Sequence, residues 1–400
     1  MTTSAIYIIG TFDTKAAELF FAVQCVQNAG ARAITVDVST SPSSAACDVS
    51  AVDVARHHPS GSSAVLALTD RGAAVSAMAI ALTAFMQTQL NIGAVLGLGG
   101  SGNTAIVTAA MRALPIGIPK IMVSTLASGN IAQYVGPSDI MMMHSVADIA
   151  GLNDITRAVI GNAAHAACGM ALNPIKKVQQ TKRPIGLTMF GVTTHAITAI
   201  RKLIEDDAEC FVFHATGTGG QCLEKLIDSG FLSGAIDLTT TEVADHLFGG
   251  ILPCTADRFG AIIRKQIPYI GSVGALDMVN FGPLETIPSH YRDRKFHLHN
   301  SAVTLMRTTP DENAAMGKWI IERINQMQGP VQFFLPLKGI SAIDLAGQIF
   351  YDPDADAALF DAIRQTWRTA PNRKLIEIEA HINEPVFAQK IAENYRNLML

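Results

Sequence analysis

The chain has 400 residues, 49% of them hydrophobic and only 16% charged, with a formal net charge of −4. That length exceeds one ordinary core and predicts two domains, while a charged fraction below the roughly 25% of average soluble proteins predicts extensive buried surface and an obligate oligomer. The slightly acidic balance lacks the basic field that drives adsorption to nucleic acid or anionic membranes, so neither is expected as a partner.

The N-terminal "MTTSAIYIIG" has no basic segment ahead of its short apolar run, so it reads as a first strand and not a signal peptide. Six scattered cysteines (Cys25, Cys47, Cys168, Cys210, Cys222, Cys254) with no C-x-x-C spacing suit reduced thiols, and the cytoplasm is the expected compartment. After "TFDTK", apolar positions recur at helical spacing through "AAELFFAVQCVQNAG", with Gly30 as the C-cap, and "ARAITVDV" predicts a second strand. No charged residue occurs between Arg71 and Arg112; the apolar part, Ala74–Met86, falls short of the roughly 20 residues that span a bilayer and predicts a buried helix, then a buried strand. "IGAVLGLGGSGNTAIVTAAMRAL" followed by "IPKIMVST" repeats the strand–loop–helix–strand order. The first half is therefore expected to be a mainly parallel sheet with helices on both faces and right-handed crossovers.

Residues 173–184, "NPIKKVQQTKRP", are proline-bounded, basic and aperiodic, which places a boundary near residue 180. Residues 1–180 and 181–400 are then two Rossmann-like α/β domains. In the second, strands are expected at 185–190, 210–214, "GAIDLT", "PYIGSVGALDMV" and "VQFFLPL", a helix from about Asp354 to Thr369, a strand at "KLIEIEA" and a last helix after Glu384.

"GLGGSGNT", residues 97–104, stands between a strand and a helix, where unpaired amides and the helix dipole can cradle a phosphate. Gly97, Gly99, Gly100 and Gly102 allow close backbone approach, and Ser101 and Thr104 offer hydroxyls. Asn103 occupies the place of the P-loop lysine and cannot neutralise charge, so binding without fast hydrolysis is the expectation; a plain packing turn is the competing reading. In "GTFDTK", Gly10, Thr11, Thr14 and Lys15 sit at a strand's carboxyl end, with Asp13 either an N-cap or an outer ligand to magnesium. Lys15 in a first helical turn opposes the dipole and calls for a nearby anion, and Asp37 is placed like a ribose-binding acid. Ser128, Gly129 and Asn130 form a further turn that lines the same pocket or is a turn only.

In the second domain "FHATGTGG" presents Thr216, Gly217, Thr218, Gly219 and Gly220 as a second anion seat or as duplicated packing. "TTTEVADHLFGG" groups Glu242, Asp245 and His246 within one helical turn, an acid–base set, or alternatively a capping box opening a surface helix; Asp277 in "GALDMVNF" joins the catalytic candidates.

The ordered set "GTFDTKAAEL", "VDVST", "GLGGSGNT", "VSTLASGN", "FHATGTGG", "TTTEVADHLFGG" and "GALDMVNFGP" resembles the Tm-one-like ATP-binding domain family over nearly the whole chain. The resemblance implies two Rossmann-like subdomains, ATP with Mg²⁺ as ligand, and a homodimer. Some relatives continue into a TIM-barrel domain absent here, so activity requiring that domain is not expected. The expected function is Mg-ATP binding on the first domain's loops with slow or no hydrolysis. The alternative is an enzyme on a small phosphorylated or carboxylated metabolite at an interdomain cleft, with ATP as cosubstrate or regulator.

Overall fold

A computed structural model describes residues 4–41, 45–175 and 181–399. The chain divides into two compact units, Met1–Val178 and Gln179–Leu400, and residues 176–180 of the expected linker lie outside the described residues.

The first unit runs β1 (Ala5–Gly10), α1 (Phe12–Asn28), β2 (Arg32–Asp37), α2 (Ala51–Ala55), α3 (Ser63–Leu66), α4 (Arg71–Thr88), β3 (Ile92–Gly99), α5 (Ser101–Ala113), β4 (Lys120–Ser124), α6 (Ala132–Val135), β5 (Ile140–His144) and α7 (Asp154–Leu172). Its five strands pair parallel in the order β2-β1-β3-β4-β5. Successive residues of a strand point to opposite faces, and every residue of β1 is buried because both faces are covered. Tyr7 and Ile9 join Met78, Leu82, Val107 and Met111 of α4 and α5 in one core. Ile6 and Ile8 join Leu19, Val26, Ile160 and Ala164 of α1 and α7 in the other.

The second unit runs β6 (Arg183–Met189), α8 (Thr194–Ile204), β7 (Ala208–His214), α9 (Thr218–Asp228), β8 (Gly234–Thr239), α10 (Glu242–Phe248), α11 (Gly260–Lys265), β9 (Tyr269–Gly274), β10 (Met278–Phe281), β11 (Phe296–Asn300), β12 (Val303–Arg307), α12 (Pro310–Ile324), β13 (Val331–Pro336), α13 (Pro353–Thr366), β14 (Arg373–Ile378) and α14 (Pro385–Met399). Six strands form a parallel sheet, β14-β13-β9-β8-β6-β7, again with a core on each face. Both units are thus α/β with a mainly parallel sheet between helices.

The single strand expected at "PYIGSVGALDMV" is two. Ala275 adopts φ +57°, which breaks the extended run, and β10 leaves to pair antiparallel with β12 in a separate three-stranded sheet, β10-β12-β11. No helix among the described residues is long and apolar enough to cross a membrane.

Candidate functional site

The crossover from β1 packs α1 on one face of the first sheet, and the crossover from β3 packs α5 on the other. Order β2-β1-β3-β4-β5 therefore has its switch point between β1 and β3, where diverging connections open a crevice at the strands' carboxyl ends. A pocket of about 610 Å³ lies there. Of the residues singled out in the sequence, Thr11, Asp13, Thr14, Lys15, Gly100, Ser101, Gly102 and Asn103 line it.

Gly100 is the N-cap of α5, and the first bond across the helix start runs from the Thr104 amide to the Gly100 carbonyl at 2.9 Å. The amides of Ser101, Gly102 and Asn103 precede that bond, and no side chain of the described residues caps them. These donors, with the positive end of the helix dipole, face the pocket.

The glycines of this loop divide by role. A Cβ on Gly97 would lie 2.6 Å from Met122 Sδ and 2.7 Å from Val107 Cγ1, so Gly97 lets α5 pack against the sheet and does not line the pocket. Gly99 likewise makes room for the Asn103 side chain. On Gly102 a Cβ would meet only Val75 Cγ2, at 3.6 Å. The turn is both a packing device and an open seat. Asn103, almost fully buried, donates from Nδ2 to the Leu98 carbonyl, and its Oδ1 finds no partner among the described residues. Thr104 is spent internally, on the Gly100 carbonyl at 2.8 Å and Ser124 Oγ at 2.7 Å.

On the β1 side two expectations need correction, for Asp37 and Lys15, and one of the two readings of Asp13 is excluded. Asp37 is no ribose ligand: buried, its Oδ1 accepts from the Phe12 amide at 3.1 Å and the Ser39 amide at 2.9 Å, stapling the β1 and β2 ends that shape the pocket wall. Asp13 does not cap α1, because Thr11 holds that position; Asp13 is exposed to the pocket and accepts from Thr14 Oγ1 at 3.2 Å. Lys15 is tied by Nζ to the Ile149 carbonyl, which supplies the electron-rich partner that was expected to be an anion. Gly10 is buried against Leu19, and Ser128, Gly129 and Asn130 are exposed and lie off the pocket lining; Asn130 Oδ1 accepts from the Ala132 amide at 3.1 Å.

Sequence reasoning missed the opposite wall. Thr40 and Ser41 follow β2, Thr69 precedes the N-cap of α4 and Arg71 begins that helix, Asp148 follows β5, and Val38, Leu68, Val75 and Ile106 add an apolar side. "TDRG" at 69–72 did carry a signal, an aspartate N-cap ahead of a helix: Asp70 Oδ1 accepts from the Ala73 amide at 2.7 Å.

The second glycine-rich turn is not a counterpart of the first. "GLGGSGNT" follows the strand beside the switch point, whereas "FHATGTGG" follows β7 at the edge of its sheet. Its anion is the protein's own: the Gly217 amide donates to Glu242 Oε2 at 2.9 Å, and a Cβ on Gly220 would fall 1.9 Å from Glu242 Oε1. A Cβ on Gly219 would fall 1.7 Å from the His214 carbonyl oxygen, and Thr216 and Thr218 bond back within the turn. Thr216 through Gly220 therefore serve close packing and not an external anion.

The acid–base set is likewise built into the fold. Glu242 is fully buried and accepts from Arg258 Nε at 2.6 Å, and Arg258 also holds Asp237 at 2.8 Å and Glu224 at 3.2 Å. Burial pushes the Glu242 carboxyl above its usual range against the pull of Arg258. It is the first residue of α10 and makes no capping box with a threonine, so the surface-helix reading fails too. Asp245, raised by burial to about 6, is bound by the Leu252 and Asn280 amides, each at 2.8 Å. His246 packs on Trp319 with ring centroids 5.7 Å apart. Asp277, fully buried and raised by burial and then by Asp344, accepts from Ser341 Oγ at 2.7 Å. Glu242 and Asp245 are buried and held by internal bonds, and Asp277 is buried with its Oδ1 finding no partner among the described residues, so none of the three is open to solvent.

Comparison with known proteins agrees with the architecture. The model of the N-terminal domain of the uncharacterised protein family UPF0261 matches residues 4–176, and that of its C-terminal domain matches residues 182–399. A UPF0261 protein of Rhizobium meliloti is 51% identical over 98% of both chains, and one of Mesorhizobium japonicum is 54% identical over 97% of both. The ToMV resistance protein Tm-1 of Solanum lycopersicum is 39% identical over 98% of this chain, which spans 55% of that plant protein. With both domain models matched in order and relatives covered end to end, the chain belongs to the UPF0261 family, the family of Tm-1-like proteins.

Proposed function

We propose that the first domain binds ATP together with Mg²⁺ in the pocket at the β1/β3 switch point, holding the nucleotide with slow or no hydrolysis. The observation that carries this reading is the uncapped first turn of α5 opening onto about 610 Å³ of pocket, room for a nucleotide beside donors that suit phosphate oxygens. Val38, Leu68, Val75 and Ile106 offer an apolar side for a base, and the hydroxyls of Thr40 and Ser41 suit a ribose. Asp13 and Asp148 are the hard oxygen ligands that a magnesium ion shared with phosphates accepts. Asn103 in place of a P-loop lysine supports retention over turnover. The low charged fraction, 16%, supports a homodimer, and the scattered cysteines support a cytoplasmic site.

Isothermal titration of Mg-ATP into the protein tests the reading. Ser101 is exposed on the pocket wall, so Ser101→Tyr is expected to fill the seat and abolish binding while leaving the melting temperature in place. Wild-type protein that takes up no heat-detectable ATP, or a tyrosine variant with unchanged affinity, overturns it.

A further inference from the structure

Four charged residues line the pocket: Asp13, Lys15, Asp148 and Arg71. Two are acidic, and Lys15 is already tethered to the Ile149 carbonyl. A triphosphate carries several negative charges, and a dipole alone offsets about half of one. The remaining cation is Arg71. It is exposed, lines the pocket, and makes no ion pair or side-chain hydrogen bond with any described residue.

Its position is fixed by the packing of two helix starts. Gly102, in the first turn of α5, stands within van der Waals reach of Val75 of α4. Arg71 is four residues before Val75 and so lies on the same helix face, as does Ala74 three residues on; all three line the pocket. Helical side chains lean toward the N-terminus, which directs Arg71 toward the start of α4, and Arg71 lines the same pocket as the first turn of α5. As the first residue of α4, Arg71 also sits where a cation opposes the helix dipole, an unfavourable placement that a bound anion reverses.

We propose that Arg71, contributed by α4 on the wall opposite the glycine-rich turn, replaces the absent P-loop lysine: its planar fork grips the terminal phosphates and makes the site selective for polyphosphorylated nucleotides. The inference rests on the nucleotide reading above. Arginine suits this task because its planar guanidinium binds phosphate oxygens by two parallel hydrogen bonds.

Titration of Mg-ATP into wild type, Arg71→Gln and Arg71→Lys, each with its melting curve, tests it. Removing one charge-assisted grip is expected to weaken ATP about ten- to hundred-fold in Arg71→Gln, with an intermediate loss in Arg71→Lys and a melting temperature within about 1 °C of wild type for both. ATP affinity within about twofold of wild type in Arg71→Gln overturns the role of Arg71 while leaving the nucleotide reading intact, and so does a loss of affinity accompanied by a large fall in melting temperature. Failure of wild type itself to bind ATP sinks the nucleotide reading and the inference together.

Discussion

The two roles assigned to glycines within one short turn are separable by experiment. In Gly97→Ala the new methyl carbon would sit 2.6 Å from Met122 Sδ and 2.7 Å from Val107 Cγ1, both in the core between the sheet and α4–α5. Forcing a methyl group into such a core costs about 1–3 kcal/mol. At about 2–4 °C per kcal/mol for a unit of this size, the first domain's melting temperature should fall by about 2–12 °C. In Gly102→Ala the nearest atom to the new carbon is Val75 Cγ2 at 3.6 Å, an ordinary contact, so stability should hold within about 0.5 kcal/mol. Because Gly102 lines the pocket beside the uncapped amides, this second variant should instead lose ATP affinity by about tenfold, the scale of one phosphate contact. Differential scanning calorimetry and titration calorimetry on both proteins read the two quantities independently. A Gly97→Ala protein as stable as wild type, or a Gly102→Ala protein that melts early with its ATP affinity intact, would refute this division of labour.

Arg258 is buried among Asp237, Glu242 and Glu224, so Arg258→Met should strand three carboxylates and cost about 3–5 kcal/mol in urea denaturation, with no effect on ATP affinity; retained stability would contradict the cluster. Asp356, raised by burial and by neighbouring Asp344, keeps its proton in the folded state to a higher pH than in the unfolded chain. Raised folded pKa in an acid means the unfolded state binds fewer protons, so this group's contribution is full below about pH 4 and declines as pH rises from about 5, by up to about 1.4 kcal/mol per pH unit. Asp356→Asn mimics the protonated carboxyl and should flatten the fall of urea midpoint with pH; an unchanged slope would count against the assignment. Chelating Mg²⁺ with EDTA should weaken ATP binding at least tenfold, and equal affinity with and without the metal would remove Asp13 and Asp148 from the site.

Elements bounded by local signals were readable along the chain. β1, β3, α13 and α14 lie where alternation, apolar runs and 3.6-residue spacing put them, because those periodicities follow from one segment meeting one core. α12 carries equally local marks: Thr309 and Glu312 form a capping box around Pro310 at the first helical position. By contrast, no local spacing shows that Ala275 ends one strand and sends the next into another sheet.

What the sequence determined by itself is the kind of loop present: small residues between a strand and a helix leave amides unpaired wherever the chain goes next. Which loop keeps them unpaired was a matter for tertiary structure. At Gly217 the Glu242 carboxylate arrives from 25 residues away and takes the seat, as Arg258 arrives from 16 residues beyond Glu242 to balance it. At Gly100–Asn103 no carboxylate of the described residues arrives; the strand order instead separates α1 from α5, and Arg71 of α4 lines the same pocket. Charge and hydrogen-bond partners act through space over a few ångströms, so the difference between a filled turn and an open one is decided by which distant residue the fold delivers to it.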